Sequence, residues 1–285
     1  MTRAPFLLFA LAGCNSIFDL RPTQQIDAAY FDAPVDAPYA CPMLGTAPTF
    51  AASLHQYVLQ ECEGYSVAAN GRAAASCGGM AAGSYRAVYV GEPDQMLQPA
   101  TGIPLPSAGE ADSYDLPRIS PDGEKLLVRH IDYDTAVVDM QYFARTSSGS
   151  WSMLAAPPFA DRPFVSPLAQ GPSGLHVLVA EFDSLTWTEW VEEGAVWRVA
   201  STHSQAELAL PEIHSISITS DGLRAIIYGG DPVGMYYSDR PSLESAFSPA
   251  QPMPTLPVSF DAFMTADCAR VYLSGLGYVF YVQQQ

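Results

Sequence analysis

Five segments of the sequence share one form: a short apolar strand, a tight turn and a second apolar strand. Asn-Gly or Asp-Gly occupies three of the five turns. These dipeptides are strong hairpin signals because both central residues of such a turn need positive φ. A unit that recurs at a fixed period is typical of a repeat architecture. The turn positions, 52, 51, 48 and 46 residues apart, are Gly71, Gly123, Gly174, Gly222 and Cys268.

Each of these hairpins is followed by a third apolar strand that carries an aromatic residue. Proline-rich stretches between the repeats leave room for a fourth strand at the edge. Four strands in about 50 residues predict an all-β fold, a five-bladed β-propeller of four-stranded antiparallel blades. The alternative is a β-sandwich of similar hairpins. The third strands are expected at residues 85–90, 139–145, 195–200, 234–239 and 278–282.

The propeller is expected over residues 49–285, and its last blade is incomplete at the C-terminus. The chain ends at Gln285, three residues after the last third strand, so no edge strand follows it. Residues 49–58, at the other end of the domain, have the length to fill that place. We therefore expect an N-terminal strand to close the ring.

Composition agrees with this fold class and excludes one class of partner. Twenty-four prolines and 21 glycines suit short strands with frequent turns. With 48% hydrophobic and 15% charged residues, the chain can bury a large core. The formal net charge is −17, and such a surface repels phosphate backbones. Nucleic-acid binding is therefore excluded.

The N-terminus has the features of a secretory signal. Arg3 is followed by a short apolar run and then by Leu11-Ala12-Gly13-Cys14, with small residues at the expected cleavage point. The run is too short to cross a bilayer, and no later segment reaches the length that a transmembrane helix needs. We assign residues 1–13 to a signal peptide. An ordinary signal followed by a buried cysteine is the alternative.

Residues 14–48 are interpreted as an extended tether. They contain a near-repeat of Asp-Ala-Pro at 32–38, and proline blocks both helix and strand pairing. Asp and Ala add little to a hydrophobic core. The tether would hold the propeller away from the surface to which the N-terminus is attached.

Two motifs resemble known families. LAGC resembles the lipobox of bacterial lipoproteins, which implies that Cys14 is acylated and becomes the first residue. Asn15 then implies the outer membrane of a Gram-negative bacterium, and the tether is similar to those of myxobacterial surface lipoproteins. The SPDG and TSDG turns resemble the WD40-like PD40 repeats of TolB-type propellers. Together these resemblances imply an extracytoplasmic protein anchored to a membrane by lipid.

Four cysteines follow Cys14, and an even number in an exported chain favours disulfides. Cys62 and Cys77 flank the Asn70-Gly71 hairpin and should face each other, which leaves Cys41 to pair with Cys268. A metal site is the rival interpretation. No CxxC motif or histidine cluster supports it, and we expect neither a metal nor a cofactor.

Acidic residues precede or enter each inner strand and are our candidates for the mouth of the central tunnel. Three interpretations are open: a solvated rim, a site for a cation or cationic ligand, and the carboxylate pair of a propeller glycoside hydrolase. The five candidate residues are Glu63, Asp115, Asp161, Glu212 and Asp261.

Other polar residues are assigned to loops or treated as isolated. The alternating His130, Asp132 and Asp134 fall in a predicted blade loop. Residues 186–194, TWTEWVEEG, are expected to form an exposed loop that carries acidic residues beside tryptophans. The remaining histidines, with no second metal ligand at a suitable spacing, are His55, His176, His203 and His214.

The sequence contains no GxSxG elbow, no glycine-rich phosphate loop and no HExxH motif. We therefore expect a non-enzymatic binding or scaffolding module whose partner is an envelope protein, a peptide or a glycan. The alternative is a membrane-anchored glycoside hydrolase with a five-bladed propeller. That enzyme would use two of Asp115, Asp161, Glu212 and Asp261.

Overall fold

The computed structural model covers the predicted propeller and the end of the predicted tether. Cys14 and the rest of residues 1–40 lie outside the described residues, so the lipobox stays a prediction. In the described part of the chain no helix is long and apolar enough to cross a membrane. The described residues are 41–51, 55–60, 62–78, 86–92, 97–105, 112–162, 164–181, 186–259, 261–265, 267–275 and 278–285.

All regular structure in these ranges is β, arranged as five four-stranded antiparallel sheets. One strand, β1 (His55–Gln60), precedes the first blade. Blade 1 contains β2 (Cys62–Val67), β3 (Ala73–Cys77), β4 (Ala87–Gly91) and β5 (Gln98–Pro99). Blade 2 contains β6 (Asp112–Ile119), β7 (Lys125–Asp132), β8 (Val137–Arg145) and β9 (Trp151–Met153). Blade 3 contains β10 (Ala169–Gln170), β11 (Leu175–Glu181), β12 (Thr186–Glu193) and β13 (Val196–Ser204). Blade 4 contains β14 (Ile213–Ile218), β15 (Arg224–Gly229), β16 (Gly234–Asp239) and β17 (Gln251–Pro252). Blade 5 contains β18 (Asp261–Met264), β19 (Arg270–Gly275) and β20 (Tyr278–Gln283). The predicted five-bladed β-propeller is confirmed.

The hydrophobic core is divided among the junctions between blades. Within the described ranges, five clusters of buried side chains each join two neighbouring blades. One of them packs Tyr65 of blade 1 against Tyr272 of blade 5, so the ring is continuous. Because a blade has neighbours on both faces, its second strand buries consecutive apolar residues: Leu126, Leu127 and Val128 of β7 are all fully buried.

Blade 5 is completed by β1, as the sequence predicts. This strand pairs antiparallel with β20, and the order of the sheet is β1-β20-β19-β18. Upstream of β1, Phe50 forms a bridge with Gln284 and is 1% exposed. The first and last strands of the domain therefore belong to one sheet, and neither end of the propeller can unfold without opening the ring.

The turns between the first and second strands explain the SPDG and TSDG motifs. Asp122 Oδ1 accepts hydrogen bonds from Ser120 Oγ and from the backbone N–H of Glu124. Asp221 makes the equivalent bonds in blade 4 with Thr219 and Leu223. Positive φ is confirmed at all five turn positions: Gly71, Gly123, Gly174, Gly222 and Cys268.

The turn type differs from the one predicted. A two-residue hairpin turn would place both central residues at positive φ, but Asn70, Asp122 and Asp221 are not among the residues with positive φ. In blade 2 the loop instead spans residues 120–124 between β6 and β7. The aspartate caps this loop, so only the glycine has to adopt the left-handed conformation.

Both expected disulfides are present. Cys62 and Cys77 occupy opposite positions on β2 and β3 and are bonded. Cys41 is bonded to Cys268 across 227 residues of sequence. The second bond ties the predicted tether to the one turn of the five in which a cysteine occupies the glycine position, with φ of 57°.

The third blade corrects the sequence prediction. Residues 195–200, expected as its third strand, belong largely to the edge strand β13, and the third strand is β12. Residues 186–194, expected as an exposed loop, contain β12, whose burial alternates as in a strand. The charged residues of this segment suggested a loop because buried carboxylates are rare without a partner. In β12 the buried carboxylate of Glu189 has such a partner, the guanidinium of Arg240.

The left-handed backbone at Cys268 leads to a prediction. In a Cys41→Ser background, Cys268→Gly should be more stable than Cys268→Ala by about 1 kcal/mol, because a Cβ at positive φ is strained and glycine relieves it. The comparison is made by chemical denaturation. At Ala225, inside β15, replacement by glycine should instead lower the free energy of unfolding. Equal stability of the two Cys268 variants would contradict the strained turn.

Candidate functional site

A cavity of about 610 Å³ occupies the central channel and is the candidate site. Residues from all five blades contribute to its wall. They come mainly from the inner strands, from the segments that precede them and from the second strands where these run alongside. We call the face of the ring on which this cavity lies the cavity face. The opposite face, which carries the five turns, is the turn face. The residues of the cavity wall include Glu63, Arg118, Phe164, Trp187, His214 and Asp261.

An ion pair spans the channel within this cavity. Arg118 on β6 of blade 2 donates from Nη2 to Asp261 Oδ1 on β18 of blade 5, over 2.6 Å. Blade 1 lies between these two blades in the ring, so the contact crosses the channel. The side chain of Arg118 is 6% exposed and that of Asp261 is 11% exposed. The pair is therefore buried at the centre of the propeller.

The Arg118–Asp261 pair leaves polar groups unsatisfied. Among the described residues, Arg118 Nε, Arg118 Nη1 and Asp261 Oδ2 are buried without a hydrogen-bond partner. A buried polar group without a partner is costly, and each such group in a folded protein calls for an explanation. Two donor groups and one acceptor on two residues of the cavity wall thus lack a partner among the described residues.

A local irregularity in β6 brings Arg118 to this position. The pairing of β6 with β7 shifts register between Asp115 and Arg118, and Leu116 has φ of 45°. Such a bulge turns the following side chains relative to the regular strand. A Cβ on Gly64 of the neighbouring inner strand would approach Leu116 Cα to 2.9 Å, so glycine permits the close contact of the two backbones.

A second ion pair, formed within blade 2, lies beside the cavity. Arg129 donates from Nε and Nη2 to the two carboxylate oxygens of Asp115, over 2.6 and 2.7 Å. Burial disfavours the charge of Arg129, but the hydrogen bonds and charge of Asp115 outweigh it and raise the pKa of Arg129. The Arg129 guanidinium also lies 5.5 Å from the ring centroid of Phe164. Asp115 is fully engaged by this arginine.

The five predicted acids do not form one ring. Glu63 and Asp261 line the cavity, and Asp115 reaches it only through Arg129. Glu63 is paired with Arg86. Asp161 and Glu212 are largely exposed, with 77% and 63% of their side-chain surfaces accessible, and neither is part of the cavity wall.

The arginines of the cavity are the functional candidates that the sequence analysis missed. Arg118 and Arg129 follow Asp115 in an ordinary strand–turn–strand segment, and no motif marks them. The only local signal is Leu116-Pro117 inside a predicted strand, since proline in a strand often accompanies a bulge. Their approach to the carboxylates depends on how the blades are arranged.

A second buried polar cluster lies between blades 3 and 4. Glu189 on β12 is fully buried and accepts bonds from Arg240 Nη1 and Nη2 over 2.6 and 2.9 Å. His176 Nδ1 and His203 Nε2 are 3.0 and 3.1 Å from its oxygens. Burial would raise the pKa of Glu189, but the bonds from both histidines and Arg240 keep it well below its usual range. This cluster joins two blades and accounts for the burial of β12.

The other candidates lie apart from the cavity or make local contacts. His130 bonds to Asp139 over 2.7 Å and to Asp112 over 3.1 Å on neighbouring strands of blade 2. Burial opposes protonation of His130, yet the two carboxylates outweigh it and raise its pKa. Asp132 ends β7, rather than lying in a loop, and Asp134 follows in the turn, where it donates its backbone N–H to Asp132.

The remaining histidines are divided between the edge and the centre of the ring. His55 lies on the closing strand β1, and His214 lines the cavity. Within the described ranges, no group of three or more His, Cys, Asp or Glu side chains is arranged so that it could hold a metal ion.

Comparisons with known proteins support the fold and no family. No protein-family model matches the sequence, and no curated protein matches it. A putative glycosidase from Bacteroides thetaiotaomicron is similar in structure with a TM-score of 0.51 and 10% identity, over 79% of this chain and 87% of that chain. A glycosyl hydrolase from Bacteroides ovatus has a TM-score of 0.50 and 9% identity, over 79% and 84%. At these identities the likeness shows a shared fold alone.

The buried cluster around Glu189 gives a second prediction. Glu189→Gln should lower the free energy of unfolding by about 3–5 kcal/mol, because it leaves the buried charge of Arg240 without its partner. Glu193→Gln is the control on the same strand. Its side chain is 41% exposed and pairs with Arg198 at the surface, so its loss should cost about 1 kcal/mol or less. Similar losses in urea denaturation would contradict the burial of Glu189.

Proposed function

We propose that the protein is a lipid-anchored lipoprotein of the bacterial cell envelope, and that its propeller is a non-enzymatic binding module. Its ligand is held in the central cavity. The observation that carries this proposal is the cavity of about 610 Å³ with unsatisfied polar atoms on Arg118 and Asp261. Its volume is in the range of small-molecule sites, and such sites combine an apolar wall with a few polar groups.

The state of the carboxylates favours binding over catalysis. A glycoside hydrolase needs one carboxyl group that protonates the leaving group and a second that activates water or attacks the sugar. In this cavity Glu63 bonds to Arg86, and both oxygens of Asp115 bond to Arg129. Asp261 keeps one oxygen without a partner among the described residues, but it is paired with Arg118 through the other. These ion pairs hold the carboxylates in place as recognition groups.

The route of the N-terminal segment is compatible with anchoring. Cys41 joins the turn of blade 5, and Gly45 donates its backbone N–H to Asp239 of blade 4 over 2.6 Å. Arg224, at the end of a neighbouring turn, donates to the carbonyl of Thr46. The chain therefore enters the propeller on the turn face, away from the cavity.

The second candidate is a membrane-anchored glycoside hydrolase. Two of the structurally similar proteins are described as a putative glycosidase and a glycosyl hydrolase, and Asp261 lines the cavity. Of the four acids considered for this activity, Asp161 and Glu212 lie outside the cavity wall. Any enzyme would then depend on Asp261 with Glu63 or Asp115, each of which already has an arginine partner.

The anchoring part of the proposal predicts the behaviour of a single substitution. Wild-type protein expressed in a Gram-negative host should be found in the membrane fraction, with acyl mass on an N-terminal Cys14. Cys14→Ser should be absent from the lipidated fraction, because the acceptor thiol is lost. Cys41→Ser removes a nearby cysteine without touching LAGC and should stay membrane-bound. If the Cys14→Ser variant stays in the membrane fraction and the wild type carries no acyl mass, the lipid anchor is refuted.

The binding part is tested by separating retention from turnover. Full-length protein in detergent is incubated with envelope extract, and retained components and released sugars are measured by mass spectrometry. We expect a retained component and no hydrolysis. Sugar release that disappears in Asp261→Asn or Asp115→Asn, and persists in Asp161→Asn on the outer surface, would establish the hydrolase instead.

A further inference from the structure

We infer that the cavity recognises a neutral, polyhydroxylated ligand, a saccharide, through Arg118 and Asp261. This inference rests on the proposed function and names the class of ligand that the binding module takes. It follows from the unsatisfied atoms of the pair, from the charge of the pair and from the nature of the surrounding wall.

The unsatisfied atoms match a ligand that both accepts and donates hydrogen bonds. Arg118 Nε and Nη1 are donors, while Asp261 Oδ2 is an acceptor. They belong to two side chains already in contact through Nη2 and Oδ1. A hydroxyl group is both a donor and an acceptor, so neighbouring hydroxyls on one ligand can accept from Arg118 and donate to Asp261.

The charge of the site selects a neutral ligand. One guanidinium and one carboxylate in direct contact have no net charge, and the adjacent Arg129–Asp115 pair has none either. An anion bound to Arg118 would face the unpaired oxygen of Asp261, and a cation bound to Asp261 would face Arg118. Both arrangements place like charges together in a buried site, which is unfavourable. A hydroxylated ligand avoids this conflict.

The rest of the wall suits a ligand with polar edges and apolar faces. Phe164 is 41% exposed beside Arg129, and Trp187 and Ile216 also line the cavity. Between these side chains the wall offers the neutral polar side chains Ser215, Ser217 and Gln205. Sugar rings present C–H faces for apolar contacts and hydroxyls at their edges. A volume of about 610 Å³ also exceeds what a free amino acid would fill, although a zwitterion could meet both charges.

The experiment measures binding of defined compounds to the full-length protein in detergent. The probes are neutral disaccharides, namely maltose, cellobiose, mannobiose and N,N′-diacetylchitobiose. Glucuronate, glucosamine and free amino acids are the charged and zwitterionic comparisons. Saturation-transfer NMR detects binding, and isothermal titration gives the Kd. We expect at least one neutral disaccharide to bind more tightly than every charged or zwitterionic compound.

Substitutions then test the assignment to this pair. The double variant Arg118→Met/Asp261→Leu removes both charges together, so no unpaired charge is left in the channel. Saccharide binding should weaken at least tenfold. Asp261→Asn, a smaller change, should give a loss in the same direction if the double variant does not fold. Glu124→Gln removes an ion pair with Arg72 on the turn face and should bind like the wild type.

The outcomes separate this inference from the proposed function. Tighter binding of a charged sugar or an amino acid would overturn the ligand class and leave a binding cavity. If the folded double variant and the Asp261→Asn variant both bind saccharide as tightly as the wild type, the assignment to Arg118 and Asp261 is overturned. Failure of every neutral disaccharide to bind the wild type would overturn the saccharide inference. The proposed function fails separately, when the wild type retains no component of the envelope extract.

Discussion

Closure of the ring is the constraint on which the rest of this structure depends. Each blade is a sheet with two apolar faces, and both are covered only when a neighbour lies on each side. The hydrophobic clusters at the blade junctions meet this need, and the contact of Tyr65 with Tyr272 makes the series continuous. Pairing of β1 with β20 then joins the two ends of the domain in one sheet. The Cys41–Cys268 bond fixes the incoming chain at the same blade.

Ion pairs reinforce these junctions in a chain with few cations. The sequence holds 13 lysines and arginines against 30 acids, and nine arginines in the described part of the propeller pair with carboxylates. Several of these pairs link different blades, such as Arg240 with Glu189 and Arg72 with Glu124. Lys125 and Tyr142 of blade 2 both bond to Glu192 of blade 3, and burial together with Glu192 raises the pKa of Tyr142. Pairs such as Arg240 with Glu189 are buried at the junctions, while Arg162 and Arg198 form their pairs at the surface.

The cavity follows from the same geometry. Inner strands of five blades surround a channel narrow enough for Arg118 and Asp261 to meet, and wide enough on the cavity face to hold a small molecule. The pair holds non-neighbouring blades at a fixed distance and leaves hydrogen-bonding atoms directed to no protein group in the described ranges. The Cys41–Cys268 disulfide and residues 41–46 lie on the turn face.

Much of the fold could be predicted because its signals are local. Positive φ at Gly123 or Gly222 depends on a few consecutive residues, and the recurrence of these turns set the number of blades. The pairing of Cys62 with Cys77 follows from counting along one hairpin. Closure by β1 follows from the missing edge strand at the C-terminus. In blade 3 these signals fail, because the inner strand is reduced to Ala169–Gln170 and the acids of β12 resemble a loop.

The candidate site was decided by tertiary structure. Arg118 and Asp261 are 143 residues apart, and nothing near either one indicates the other. Glu189 can lie in a buried strand because Arg240, 51 residues later, and two histidines bond to it in the core. The sequence by itself determined the repeat, the positions of the turns and the Cys62–Cys77 disulfide, since each depends on short-range backbone geometry. Only the closed ring decided which charges meet and which buried polar atoms of the described residues are left without a partner, because those contacts form between blades that are distant in sequence.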